Sequence, residues 1–163
     1  MEFLQQIKRD ILKFGIKTPD GVDTGEHIEI DLEDPTLPMR IVESEKLHKE
    51  SIRNYQMQMN IIKKKQDSKK KNELFSKNEL AIIELENEFM RNEEKAIDLV
   101  YGDGATRKLL HGGRPYLTMF FDLTEMLEPV KGIIGEHAKN KEKAIKDKIR
   151  NTYKLNNEEE DVL

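Results

Sequence analysis

The sequence contains no cysteine and no tryptophan, and only 6% of its 163 residues are aromatic. Without cysteine the chain has no disulfide, no thiolate nucleophile and no cysteine-based zinc site. The longest uncharged apolar stretch, residues 115–121, is far shorter than the roughly 20 residues that span a bilayer. The composition therefore argues against a disulfide scaffold and a membrane-spanning helix, and it predicts a soluble, intracellular protein.

Charged residues are as common as apolar ones, at 37% and 36% of the chain, whereas ordinary domains carry roughly 25% and 45–50%. The 28 basic and 32 acidic residues leave a net charge of −4, so no strong overall field attracts nucleic acid or an anionic membrane. Isoleucine, leucine, methionine and phenylalanine nevertheless recur in patterned stretches. We therefore predict a small helical core with a highly charged surface rather than a disordered chain.

The N-terminal part is predicted to contain an arm and a β-hairpin. Residues 1–25 form the arm, in which apolar side chains at near-helical spacing over 3–14 indicate a short amphipathic helix. Residues 27–32 alternate polar and apolar side chains with a period of two, as in a half-buried strand. We expect this strand to pair with a second one at 37–42, which places the predicted hairpin within 26–42.

Two long helices are predicted to follow. The first begins at Glu43, with Ser44 as its candidate cap. The second extends from Leu74 to Val100 and has the most regular apolar spacing in the chain. Between them lies the run KKKQDSKKK at 63–71, which has no apolar residue and which we interpret as a solvated helix end or linker. This order of elements predicts an antiparallel hairpin of helices.

The C-terminal part is predicted to hold a final apolar helix and a tail. The helix opens at Pro115, and Pro129 and two nearby glycines are expected to weaken whatever continues after it. Residues 137–163 form a charged extension, basic and then acidic, which we expect to be flexible. The predicted fold class is therefore mainly α: a helical hairpin or small helical bundle over 26–136, with a short N-terminal β-hairpin and this C-terminal extension.

The sequence shows no combination of residues typical of catalysis, and we expect neither an enzyme nor a bound metal or cofactor. The four histidines have no pair at the helical spacing of a metal site. No serine or cysteine nucleophile with a plausible base is visible. The acidic residues near the end of the second helix are interpreted as a solvated helix face; they are Glu93, Glu94 and Asp98.

One block of sequence resembles a known family. Residues 96–113, AIDLVYGDGATRKLLHGG, comprise a helix, a Gly-Asp-Gly corner, a short helix and a glycine pair. The block is similar to the conserved part of tail assembly chaperones encoded in the tail modules of phages and prophages of Gram-positive bacteria. In that family, an aromatic-Gly-acidic-Gly-small corner precedes a short basic-apolar helix and a final apolar helix. The resemblance covers residues 26–128 and does not extend to the two ends of the chain.

The resemblance implies a non-enzymatic protein that acts in the cytoplasm of the bacterial host during phage assembly. Its implied partners are the tape measure protein and the tail tube protein, and it would multimerise along the tape measure. Two alternatives stay open. One is a structural component of the virion at a tail or head completion site. The other is a charge-driven nucleic-acid-binding or scaffold module, based on the lysine-rich segments.

Candidate partner-binding residues are predicted around the corner, because a tape measure helix with an apolar stripe needs an apolar groove to bind it and tyrosine and arginine are enriched at binding hot spots. The partner-binding candidates are Phe89, Val100, Tyr101, Arg107, Arg114, Phe120 and Phe121. The predicted corner and capping residues are Gly102, Asp103, Gly104, Gly112 and Gly113. For the apolar candidates, the alternative is that they form the protein's own core.

Overall fold

The computed structural model describes residues 1–114 and 116–153. The chain divides into two compact units, Met1–Thr124 and Glu125–Leu163. Its elements, in chain order, are β1 (Ile11–Lys17), β2 (Asp23–Asp31), α1 (Leu37–Lys63), α2 (Lys77–Tyr101), α3 (Ala105–Leu109) and α4 (Leu117–Tyr153). The predicted mainly α class with an N-terminal β-hairpin is confirmed. Of the predicted C-terminal extension, residues 154–163 lie outside the described part of the chain.

The β-hairpin lies earlier in the chain than predicted. β1 pairs antiparallel with β2, with Leu12 opposite Ile30 and Phe14 opposite Ile28. The pairing of 27–32 with 37–42 is therefore wrong, and so is the helix over 3–14, because 11–17 form a strand and 1–10 have no regular secondary structure.

Short-range pairing explains the correct hairpin. A tight turn joins the strands, in which the Thr18 backbone N–H donates to the Val22 carbonyl at 2.7 Å. The Gly21 N–H donates to the Thr18 carbonyl at 2.9 Å, and Gly21 has a φ of +84°, which glycine adopts at little cost. The segment predicted as the second strand instead opens α1, where Pro38 lies in the first turn and lacks only an N–H that has no partner within a helix.

The helices α1 and α2 form the predicted antiparallel hairpin. Near the start of α1, the Ser44 hydroxyl donates to the carbonyl of Ala96 at 2.6 Å. Near its end, the side-chain amide of Asn78 donates to the Lys65 carbonyl at 2.9 Å. Ser44 is therefore an interhelical contact within α1 and not its cap. The helix α2 begins at Lys77 rather than Leu74, after a serine cap.

That cap is Ser76, whose hydroxyl accepts a hydrogen bond from the Glu79 backbone N–H at 3.1 Å. A serine followed by glutamate three residues later is the signature of a capping box, and a cap of this kind stabilises a helix by about 1 kcal/mol. Between the helices, residues 63–71 are exposed. The lysine run is therefore a solvated helix end and connection, as predicted.

The core of the first unit forms between the helical hairpin, the inner face of the sheet and the start of α4. An aromatic series links these elements: the rings of Tyr55 and Phe89 lie 5.1 Å apart, and Phe89 meets Phe120 edge-on at 6.1 Å. Such pairs stabilise beyond the area they bury. The buried apolar residues include Ile28, Ile30, Leu37, Leu85, Met90, Ala96, Ile97, Val100, Tyr101 and Leu123.

The helix α4 continues through the residues that were expected to weaken it. Pro129 lies inside it, and the helix extends to Tyr153. Proline removes one backbone hydrogen bond, but Pro129 and Glu125, four residues before it, are exposed, so water can satisfy the freed carbonyl. Among the described residues, no helix combines the length and apolar character needed to cross a bilayer.

A buried carboxylate joins the two long helices. The side chain of Glu93 on α2 is only 2% exposed, and its Oε2 lies 2.7 Å from Nδ1 of His48 on α1. Burial raises the pKa of Glu93 above its ordinary value, and the hydrogen bond and charge of His48 oppose that rise. The prediction that Glu93 belongs to a solvated face is therefore wrong, because the contact with α1 places it inside the hairpin.

Neutralising Glu93 is expected to change how stability depends on pH. A raised pKa means that folding favours the protonated carboxyl of Glu93. The resulting stabilisation is fully present below the unfolded pKa of 4.5, and it is lost as the pH rises through the folded pKa. Glu93→Gln should therefore raise the unfolding free energy at pH 8, and its difference from wild type should shrink toward pH 4. Urea denaturation at both pH values measures this.

The control is Glu88→Gln, which removes an exposed carboxylate from the same helix and should leave the pH dependence unchanged. His48→Ala should cost about 1–3 kcal/mol at pH 8, because it leaves a buried carboxylate without its partner. The same change should cost less in the Glu93→Gln background. Equal costs in both backgrounds would show that His48 and Glu93 are not coupled.

Candidate partner-binding site

The corner after α2 is built by glycines with positive φ angles. Gly102 has a φ of +103° and Gly104 a φ of +77°; other residues adopt such angles only with strain. The Gly102 N–H donates to the Asp98 carbonyl at 2.9 Å and closes α2. Gly112, with a φ of +79°, follows α3 and donates its N–H to the Arg107 carbonyl at 2.7 Å. The predicted corner is therefore present.

The carboxylate of Asp98 holds the corner together. Its Oδ1 accepts hydrogen bonds from the Thr106 N–H at 3.0 Å and from the Thr106 hydroxyl at 2.8 Å, and its Oδ2 accepts from the Gly104 N–H at 3.2 Å. These N–H groups at the start of α3 have no partner within that helix. Asp98 thus caps α3 from α2, and the prediction that it lies on a solvated face is wrong. The sequence did not reveal this cap, because Asp98 lies eight residues before Thr106 and helical spacing does not connect them.

Two further contacts fix α3. The guanidinium of Arg107 donates from Nε to Glu94 Oε1 at 3.0 Å, which ties α3 to α2. The ammonium of Lys108 donates to the His27 carbonyl at 3.3 Å, which ties it to β2. Glu94, interpreted from the sequence as part of a solvated face, is therefore an ion-pair partner, and its side chain is 15% exposed.

The structure separates the partner-binding candidates into core and surface. Val100, Tyr101 and Phe120 are buried at 7%, 7% and 4% exposure, and the half-buried Phe89 packs between Tyr55 and Phe120. These side chains therefore lie in the protein's own core, which was the alternative to a partner-binding role. The remaining candidates are exposed: Arg107, Arg114 and Phe121. Asp103 and Gly113 at the corner are also exposed.

Two further exposed apolar residues lie beside the predicted candidates. Tyr116 and Met119 are 81% and 50% exposed, and Phe121 is 61% exposed. Within α4, burial of Phe120 turns Met119 and Phe121 outward, whereas Tyr116 precedes the helix. The exposed candidate contact residues near the corner are therefore Arg107, Arg114, Tyr116, Met119 and Phe121. They combine aromatic rings, a thioether and two guanidinium groups, which suits contact with another protein.

A hollow of about 210 Å³ lies beside Arg114. Its lining combines the apolar side chain of Met90 with charged groups, including Glu94, the ion-pair partner of Arg107. A second hollow, of about 490 Å³, lies between α1 and α2 and is lined mainly by polar side chains such as Asn54 and Glu84. The hollow beside Arg114 has the size of a site for one or two side chains of a partner.

Replacing Asp98 is expected to loosen the corner. Asp98→Ala leaves the Gly104 and Thr106 donors without their acceptor and should lower the unfolding free energy by about 1–3 kcal/mol. The matched control is Asp103→Ala, which removes an exposed aspartate from the corner itself and should change stability by less than about 0.5 kcal/mol. Chemical denaturation measures both. Equal losses would contradict the capping role.

Comparisons with family models, curated proteins and solved structures find no match for this chain. Inferences about its function therefore rest on the residues and geometry of the chain itself.

Proposed function

We propose that the chain is a non-enzymatic tail assembly chaperone of a phage or prophage, which binds the tape measure protein and assists tail tube assembly. The observation that carries the proposal is the exposure of Tyr116, Met119 and Phe121 directly after the corner that resembles the chaperone family. Exposed groups of large apolar side chains typically mark protein-binding surfaces.

The rigidity of the corner supports this role. Asp98 fixes the start of α3, and burial of Phe120 fixes the first turn of α4. The exposed ring of Phe121 is thus presented by a packed helix, which reduces the entropy lost on binding, and Tyr116 directly precedes that helix. A preorganised apolar surface suits a partner whose own apolar face would otherwise be exposed to water.

The chemistry of these side chains suits an amphipathic helix with irregular contacts. Tyr116 and Phe121 supply aromatic anchors, and Met119 has a flexible thioether side chain that adapts to uneven surfaces. Arg114 offers a cation for acidic groups beside the partner's apolar stripe. A tape measure helix has such a stripe along its length, so several copies of the chaperone would bind it and associate with one another.

The test is co-expression of the tape measure protein from the same tail module with and without this chain. We expect the chain to raise the soluble fraction of the tape measure and to co-purify with it. The double variant Tyr116→Ser/Phe121→Ser should keep the helical circular dichroism spectrum and lose this effect. Truncation of an aromatic hot spot costs about 2 kcal/mol or more, equivalent to at least about thirtyfold weaker binding.

The control is Leu74→Ser, which removes a side chain that is 79% exposed in the connection between α1 and α2. This variant should solubilise the tape measure as well as wild type does. A tape measure that is equally soluble with and without the chain would contradict the proposal. Retention of the chain in purified phage particles would instead favour a structural role in the virion.

A charge-driven nucleic-acid-binding or scaffold module is the second candidate. It is favoured by the six lysines in 63–71, which are all exposed. Acidic residues elsewhere in the chain offset their positive charge, so that the net charge is −4. The two candidates differ in their response to salt. Affinity for duplex DNA that falls steeply with salt would support the module, because phosphate contacts release counterions. No retention on DNA at low salt would dismiss it.

A further inference from the structure

Among the described residues, the outer edge of β1 pairs with no other strand. The sheet has two strands, and in the part of the chain that the structure describes β1 pairs only with β2. At one end of β1 the Asp10 carbonyl accepts a hydrogen bond from the Leu32 N–H at 2.9 Å. At the other end the Ile16 carbonyl accepts from the Thr24 hydroxyl at 2.7 Å. Even-numbered residues of β1 therefore direct their backbone groups toward β2.

Odd-numbered residues direct their backbone groups away from β2, because the direction alternates along a strand. These residues are Ile11, Lys13, Gly15 and Lys17, and all four are exposed. Their N–H and C=O groups form a row along one edge. Such a row is a template for pairing with another strand.

Neither a left-handed backbone angle nor a lack of space requires the glycine in this row, which lies beside a register irregularity between Gly15 and Lys17. The φ of Gly15 lies outside the left-handed region, and a Cβ placed there would meet no atom within 4 Å. Glycine weakens a strand by roughly 0.5–1 kcal/mol relative to alanine. In a strand, glycine often marks a position where another backbone approaches closely, and Gly15 lies on the open edge.

We propose that β1 pairs antiparallel with β1 of a second copy of this chain, around a two-fold axis at Phe14. The two hairpins would then form one four-stranded sheet. In this register Lys13 faces Gly15 of the second copy, and Ile11 faces Lys17 of the second copy. Outward backbone groups thus meet outward backbone groups along the whole edge.

The sequence of β1 is self-complementary in this register. Each lysine faces glycine or isoleucine, so no two like charges are directly opposite one another, an arrangement that would be destabilising. Gly15 leaves room for the facing lysine side chain. On the inner face, the half-buried Leu12 and Phe14 continue the apolar surface of one hairpin into that of the other.

Residues 1–10, the part of the predicted arm that precedes β1, add apolar area to the same contact. Phe3, Leu4 and Ile7 are 85%, 102% and 92% exposed and directly precede the paired strand. In the antiparallel arrangement, the arm of one copy leaves the strand beside the turn of the other, where Val22 is 62% exposed. Contact between arm and turn would remove both from water.

This pairing would be the surface through which the chain self-associates, and its role in assembly rests on the proposed function. The experiment uses the purified chain alone, so its failure and a failure to bind the tape measure are separate results. The chain has no cysteine, which allows single cysteines to report the register. We use Lys13→Cys and Gly15→Cys, at an exposed side chain and at a position with space for a Cβ.

Under mild oxidation, an equimolar mixture of the two variants should form the mixed disulfide dimer in large excess over either homodimer. Facing residues have Cα atoms about 5.5 Å apart, within disulfide range, whereas two copies of the same cysteine would lie beyond about 7 Å. The control mixture pairs Gly15→Cys with Glu29→Cys, an exposed position on β2, and should not cross-link. Equal cross-linking in all mixtures, or none, would overturn the proposal.

A second measurement removes the edge donor without introducing a thiol. Gly15→Pro deletes an N–H that points away from β2, and proline is tolerated at such edge positions. Sedimentation should show a concentration-dependent dimer for wild type and a monomer for this variant, with unchanged circular dichroism. A dimer that persists in a folded Gly15→Pro variant would overturn the proposal. If the variant does not fold, the cysteine mixture alone decides.

Discussion

The hydrogen bonds of Asp98 are the interaction on which the arrangement of the first unit depends. One carboxylate near the end of α2 accepts from Gly104 and twice from Thr106, and so converts a flexible glycine corner into a fixed angle. The helix α3 has five residues, too few to be stable alone. Its position is therefore set by its cap and by the contacts of its basic side chains with α2 and β2.

The long hairpin is held by polar contacts that cross between its helices. Arg40 on α1 donates to the carbonyl of Leu99 in the last turn of α2 at 3.0 Å and also to Asp34 at 3.1 Å, just before α1. With His48 and Glu93 further along, these contacts fix the register of two helices whose apolar stripes are thin. In a chain with little apolar surface, directional bonds supply specificity that packing would supply in a larger core.

Much of the fold follows from local signals in the sequence. The spacing of Leu85, Phe89, Ala96 and Val100 predicts α2, and Gly102 and Gly104 predict its end. The strand pairing was not predictable in the same way, because 11–17 fit both a helical and a strand period over so short a stretch. Choosing between them depends on the turn and on which face the rest of the fold covers.

The acidic residues show the same limit at the site. Glu93, Glu94 and Asp98 look alike in sequence, as one acidic helix face. In the fold one is buried against His48, one binds Arg107 and one caps α3. Their partners lie 45, 13 and 8 residues away, so helical periodicity cannot assign them. Among the apolar residues predicted to contact a partner, Phe121 is the one that the structure places in an exposed position.

The unequal distribution of apolar surface connects the fold to association. Residues such as Val100 and Phe120 close the core, while the arm, the edge of β1 and the start of α4 keep large side chains or backbone donors in water. A two-stranded sheet is marginal alone. The strand β2 is supported by α3 through Lys108, whereas the outer edge of β1 pairs with no strand in the part of the chain that the structure describes. The physical weakness of the fold thus lies where a second chain can add both hydrogen bonds and apolar burial.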